Sequence, residues 1–423
     1  MIHALLLTPA YPPFLGGGER YVRSLAQQLA QRGITVTILT SLARNEQALW
    51  AGTSSQTDSW EPEKDSLVTV YRLPIRSFPG GRIGLLSWRK CMVLLSTLPG
   101  DQSFLLQRMA RLFPPIQRLD AALHTLPHDV NIVHGFNISW EYSLLAGWQY
   151  AQQHNLPFVA TPFMHFGTGH DRVARNSTMD HQRRLLIAAN SVLPLTANEK
   201  DGLEQLGVPA KNITAVGGGI DPLPPLGDTA VLQQKHQLTT PYAIFIGRAS
   251  QEKGAIHAAQ ATLALAQQGF DLTLALIGQP APEFTHFYNR LSPAEQRRIR
   301  PLGILSDTDK HSLLAAATAL LLPSRTDSFG IVLLEAWAHG VPVIAARAGG
   351  IPGVVDDGEN GLLIPFGDVP AISAALRRLL DDPELRRSLG ENGREKVMAV
   401  YSWKHVAERV HRQYSQLLNL ANL

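Results

Sequence analysis

Four charged residues stand out by type and spacing. Arg248 and Lys253 lie five positions apart in AIFIGRASQEKG, and Asp327 and Glu335 lie eight apart in SRTDSFGIVLLEAWAHG. A guanidinium grips two phosphate oxygens at once, and an ammonium adds a compact point charge. At a turn that opens a helix, where the first backbone N–H groups have no intrahelical partner, such a pair suits a diphosphate. Two solvated surface charges are the plainer alternative. Carboxylates accept hydrogen bonds from sugar and ribose hydroxyls. Asp327 falls in a loop and Glu335 on the second turn of the helix that follows, so the two face one bound molecule at two heights. Glu335 sits within IVLLEAWA, where a buried unpaired carboxylate is costly. The alternative there is that Asp327 caps the helix and Glu335 pairs with a neighbouring Arg. Asp307-Thr308-Asp309 has the form of a divalent-metal motif, but it directly precedes KHSLLAAAT and reads as a helix cap. His165, His170 and His181 lack the spacing of a zinc site, so no metal is expected.

Short apolar runs alternate with helical periodicity along the whole chain, and they must position these groups. HALLLTP, ITVTILT, LVTVYRLP, VNIVHGF, PFVATPF and SVLPLT read as strands, and ERYVRSLAQQLAQRG as a helix with Val22, Leu25 and Leu29 on one face. After GGGIDPLPPLGD the rhythm restarts with YAIFIG, LTLALIG, ALLLPS, PVIAA and GLLIP. Strands separated by helices imply parallel βαβ units. The expectation is two tandem doubly wound α/β domains facing across a cleft. Residues 1–221 form the first and 222–401 the second, and an amphipathic helix in 402–423 returns to the first. Ligands bind at the carboxyl ends of such strands, which is where Arg248 and Asp327 fall.

The chain has 423 residues, 45% hydrophobic and 17% charged, with a net charge of +3. That excludes a disordered chain and gives no electrostatic case for nucleic acid. A single cysteine excludes a disulfide framework and fits a reducing compartment. The N-terminus makes a poor signal peptide and a good first strand, and no apolar run is long enough to cross a bilayer. A cytoplasmic location is expected, compatible with attachment to the inner face of the membrane. Only 9 residues are Lys against 29 Arg, so a lysine at a special place is notable.

GRASQEKG together with PSRTDSFGIVLLEAWAHGVPVIAARAGGIPGVVDDGENGLL resembles the retaining, metal-independent glycosyltransferases of family four, which have the GT-B fold. The resemblance extends to YPPFLGGGERYVRSLAQQLAQRG, ITAVGGGID and the closing YSWKHVAERV, and so covers nearly the whole chain in order. It implies transfer of a sugar from a nucleotide diphosphate-sugar to a hydroxyl acceptor, with no further cofactor. Arg248 and Lys253 take the diphosphate-binding positions and Glu335 the ribose-binding second carboxylate of the E-x7-E motif. Asp327 stands at the first carboxylate, one methylene short of the usual Glu. Gly16 and Gly17 match the glycine loop that approaches donor and acceptor. His165 matches the histidine beside the donor sugar. Gly353 follows Pro352 where the family often has a Glu.

Three other functions compete. A dinucleotide oxidoreductase needs a third glycine where Tyr21 stands, and an acid after the second strand where TSL stands. A sugar-nucleotide 2-epimerase of the same fold needs no acceptor, and a non-catalytic sugar-nucleotide-binding protein binds without turnover. From Arg72 to Arg118 there are eight Lys or Arg and one acid, Asp101, interleaved with apolar residues. This stretch reads either as an insertion covering its own core with Arg stems or as a basic amphipathic surface for anionic lipid. The second reading implies a lipid-linked acceptor or a cell-surface glycan precursor.

Overall fold

The computed structural model describes residues 1–14, 16–52, 61–127, 129–164, 166, 173–238, 241–325 and 327–420. The chain divides into two compact units. Unit 1 takes Met1–Met164, Arg172–Gly218 and Trp403–Leu423, and unit 2 takes Gly219–Ser402.

The strands of unit 1 are β1 (His3–Leu7), β2 (Thr35–Ser41), β3 (Glu63–Asp65), β4 (Val68–Leu73), β5 (Ile132–Phe136), β6 (Phe158–Thr161) and β7 (Ser191–Val192). Among the described residues they form one seven-stranded sheet in the order β3-β4-β2-β1-β5-β6-β7. All pairings are parallel except β3 with β4. Every residue of β1 and β5 is buried. Helices cover both faces of a parallel sheet, so its central strands read as unbroken apolar runs rather than alternating ones. The helices are α1 (Gly17–Gln31), α2 (Glu46–Ala51), α3 (Gly81–Leu95), α4 (Ser103–Ala110), α5 (Leu119–Leu123), α6 (Tyr142–Gln153), α7 (Asp180–Ala188) and α8 (Ala197–Gln205).

Unit 2 holds β8 (Tyr242–Ile246), β9 (Thr273–Ile277), β10 (Ile299–Gly303), β11 (Ala319–Leu322), β12 (Val343–Ala346) and β13 (Gly361–Ile364). Their order is β10-β9-β8-β11-β12-β13, all parallel. The helices are α9 (Thr229–Lys235), α10 (Ala255–Gln267), α11 (Pro282–Asn289), α12 (Pro293–Arg298), α13 (Asp307–Ala315), α14 (Ile331–Ala338), α15 (Val369–Asp381) and α16 (Pro383–Val400). Ala-rich α10 lets backbone come close to the sheet. Its Ala255, Ala258, Ala259 and Ala261 are fully buried in the core with Phe245, Leu274 and Leu321.

The last helix, α17 (Trp403–Leu417), belongs to unit 1 and packs on α1. Trp403 meets Tyr21 edge-on at 5.1 Å, and Arg32 donates to the Lys404 carbonyl at 3.1 Å. The buried Tyr414 hydroxyl bonds His134 Nδ1 at 2.7 Å, and His134 Nε2 bonds Thr161 Oγ1 at 2.8 Å. Burial pushes His134 down to about 3, so it is neutral.

Two edge strands are additional to the sequence expectation. β3 is three polar residues, and β10 carries Pro301 at a register shift with only Ile299 buried. Edge strands need neither an apolar run nor every ladder hydrogen bond, so pattern reading passes over them.

Candidate functional site

In unit 2 the strand order reverses between β8 and β11, and the loops leaving their carboxyl ends are neighbours. A doubly wound sheet binds its ligand at that switch point. Arg248 follows β8 by two residues and is exposed. Its carbonyl accepts from the Ser250 N–H at 2.8 Å, and Ser250 Oγ accepts from the Lys253 N–H at 3.2 Å, so the loop is a tight turn. Gly254 closes it with φ +77, and a Cβ there would lie 2.0 Å from the Pro323 carbonyl oxygen. Only glycine permits this backbone approach, which presses the loop after β8 against the loop after β11.

Side chains complete the join. Lys253 Nζ donates to Asp327 Oδ1 at 2.9 Å, both side chains half-buried. Arg325 forks onto Glu252 at 2.5 and 2.7 Å, and the Arg325 N–H donates to the Glu252 carbonyl at 3.2 Å. The Gly350 N–H donates to the Asp327 carbonyl at 2.8 Å, so the turn after β12 braces the same loop. Asp327 is thus held beside Lys253 and does not cap the next helix: the cap of α14 is Gly330.

Glu335 lies on α14 and is buried, and its partner is Lys310 of α13, with Nζ to Oε1 at 3.0 Å. Lys310 also faces Asp307 at 3.2 Å. The expected alternatives are corrected here. The cation beside Glu335 is a Lys rather than an Arg, and α13 is capped by Ser306, which accepts from the Asp309 N–H at 3.1 Å. Asp307 and Asp309 occupy the first turn, where acids suit the helix dipole. Among the described residues no three of His, Cys, Asp or Glu gather as a metal site.

The family model for "Glycosyl transferase 4-like domain" matches residues 16–219, and that for "Glycosyl transferases group 1" matches residues 229–396. The chain belongs to the family-four glycosyltransferases. Alpha-maltose-1-phosphate synthase of Mycolicibacterium smegmatis is 28% identical over 72% of this chain and 86% of its own length. D-inositol 3-phosphate glycosyltransferase of Corynebacterium aurimucosum is 26% identical over 96% of this chain and 92% of its own. Sucrose-phosphate synthase from Thermosynechococcus elongatus superposes with a TM-score of 0.72 at 23% identity, covering 100% of both chains. Anabaena HepE in complex with UDP-glucose gives 0.72 at 18% identity, covering 98% of this chain and 100% of that one. The fold is GT-B, as the sequence implied.

For a family-four glycosyltransferase, the glycine loop of unit 1 follows β1, at the switch between β1 and β5. Gly17 is the first residue of α1 and is exposed. Gly16 is extended, with φ −167, a conformation open to any residue. A Cβ there would lie 2.0 Å from Glu19 Oε2, the movable end of a side chain, so a larger residue would displace the Glu19 carboxyl rather than the backbone. Burial pushes the Glu19 carboxyl up to about 7. His165 lies outside the described residues. Its predecessor Met164 is fixed by the buried Glu199, which accepts from the Met164 N–H at 2.8 Å and the Leu195 N–H at 2.7 Å. Burial holds Glu199 up at about 7 against the pull of these two donors.

Sequence reasoning missed Lys310, Glu252, Arg325, Glu19 and Glu199. The scarcity of lysine is the one signal that could have drawn attention to Lys310. The basic stretch divides between buried and exposed cations. Arg89 is buried, with Nη1 at 2.5 and 2.7 Å from Glu141, which also accepts from Gln182 at 3.0 Å and lies 3.2 Å from His181 Nε2. Arg72 bonds Glu63 and the Pro12 carbonyl. Neither is a free surface cation, whereas Arg82, Lys90 and Arg108 are exposed. No helix among the described residues is long and apolar enough to cross a membrane.

Proposed function

We propose that the protein transfers a sugar, with retention of anomeric configuration and without a divalent metal, from a nucleotide diphosphate-sugar to a hydroxyl of a lipid-linked or cell-surface glycan precursor. The observation that carries this reading is the meeting of the Arg248–Lys253 turn with Asp327 at the switch point of unit 2. The bond from the anomeric carbon to the diphosphate breaks, and the bond to the acceptor oxygen forms on the same face. The acceptor proton passes to the departing diphosphate. Arg248, Lys253 and the amino-terminal end of α10 offset the charge that grows on the leaving group, usually the largest catalytic contribution. Glu335, steadied by Lys310, holds the ribose hydroxyls, and Asp327 takes a hydroxyl of the donor sugar. Gly16, Gly17 and His165 keep the donor-side roles that the family resemblance implies.

A screen of UDP-, GDP- and ADP-sugars, read by released nucleotide with and without EDTA, tests the reading. Arg248→Ala and Lys253→Ala should lower kcat more than they raise donor KM, because their charges matter most as the diphosphate leaves. The anomeric proton coupling of the product reports retention. Activity lost in EDTA and restored by manganese would overturn the metal-free mechanism, and turnover without acceptor would favour epimerisation.

A further inference from the structure

Helix α3, with sequence GRIGLLSWRKCMVLL, is apolar on two faces. One face is buried through Leu85, Arg89 and Met92, and the Trp88 indole donates to the Met109 carbonyl of α4 at 3.1 Å. The opposite face carries Ile83, Leu86 and Leu94 and is exposed, Ile83 at 78% and Leu94 at 66%. Helix α4 repeats the arrangement. Ser103, Leu106 and Ala110 are buried, and Phe104 is 69% exposed. A helix apolar on two faces is ordinarily covered on both, and large apolar side chains left exposed on two neighbouring helices mark an interaction surface.

The charged residues within α3 and α4 themselves are all cations. Lys90 lies on the exposed face of α3, and the Arg108 guanidinium stacks over the Phe104 ring at 4.4 Å. From Gly81 to Arg111 the sequence holds one acid, Asp101, at the start of α4. Its carboxylate accepts from the Ser103 N–H at 2.8 Å and lies 3.7 Å from Arg184. A second copy of the chain would bring like charges together. A surface of acyl boundary and anionic headgroups satisfies both the apolar residues and the cations. The buried Arg89–Glu141 ion pair fixes the inner face of α3, so the outer face is presented rigidly.

We infer that the exposed face of α3 and α4 docks on an anionic lipid membrane, with Ile83, Leu86, Leu94 and Phe104 in the acyl boundary and Lys90 and Arg108 on the headgroups. This deepens the proposed function by placing the acceptor at a lipid surface, and only that consequence rests on the transferase reading.

The test is co-sedimentation of the full chain with vesicles of phosphatidylcholine alone or mixed with phosphatidylglycerol, at low and high salt. The wild type pellets with the mixed vesicles, leaves them at high salt and ignores the zwitterionic ones. Ile83→Ser/Leu94→Ser/Phe104→Ser should weaken binding to mixed vesicles at least about tenfold, and Lys90→Gln/Arg108→Gln should weaken it roughly fivefold per cation at low salt. Both variants should bind UDP or GDP as the wild type does, which shows that they fold. If only one folds, its binding decides. Equal pelleting of wild type and variants, or pelleting with phosphatidylcholine alone, overturns the inference. A concentration-dependent dimer that the variants dissolve, with no vesicle binding, assigns the face to a second copy instead. Nucleotide release in the absence of vesicles reads the transferase separately, so its failure leaves the docking result standing.

Discussion

Asp327 pairs with Lys253, so removing the Asp327 charge should strengthen diphosphate binding rather than abolish it. Lys253 Nζ and Asp327 Oδ1 are 2.9 Å apart, with side chains 29% and 20% exposed. A phosphate oxygen bonded to the far side of the ammonium would lie about 5–6 Å from the carboxylate. Two like charges at that distance repel by between about 0.7 kcal/mol in water and about 3 kcal/mol at the dielectric typical of a protein surface. The half-buried site falls between these limits. Asp327→Asn keeps the shape and removes the charge, so it should tighten binding of the nucleoside diphosphate about tenfold. The same change should lower kcat/KM for the nucleotide sugar, because an amide is a weaker acceptor for a sugar hydroxyl than a carboxylate. Calorimetric titration with UDP and GDP, beside turnover with the preferred donor, gives both numbers. An unchanged or weaker diphosphate affinity in the variant would mean that no phosphate binds at Lys253, and the assignment of this loop would fall.

Lys310→Met should cost about 3 kcal/mol of unfolding free energy, because it strands the buried Glu335 carboxylate, and Lys310→Met/Glu335→Leu should recover most of that loss. Urea titrations of the four-member cycle check this, and simple additivity of the two single changes would refute the coupling. Glu199 should make unit 1 less stable as pH rises. Its folded value of about 7 lies above the ordinary carboxylate range. The stability it lends is therefore full below about pH 4.5 and lost as pH climbs through 7, a change of about 3 kcal/mol. Glu199→Gln should flatten the stability profile between pH 5 and 8, and parallel profiles for variant and wild type would contradict this origin.

The sequence by itself determined the class of fold. Central strands such as HALLL and YAIFI are buried on both faces, so their apolar runs cannot be mistaken for alternating antiparallel strands. Spacing along the chain also placed Arg248, Lys253 and Asp327 after strand ends, because the alternation of strand and helix fixes which loops lie at the ligand end of a parallel sheet. Tertiary structure alone decided partnership. Lys253 and Asp327 are 74 residues apart, Lys310 and Glu335 are 25 apart, and Arg89 and Glu141 are 52 apart. Each pair joins elements whose contact follows from strand order and helix packing, which no local pattern encodes. The same limit explains the basic stretch. A helix with apolar residues all round and several cations does not announce which face turns inward. In α3 the inward face takes Arg89, because Glu141, the residue that precedes α6, supplies the countercharge that makes its burial tolerable.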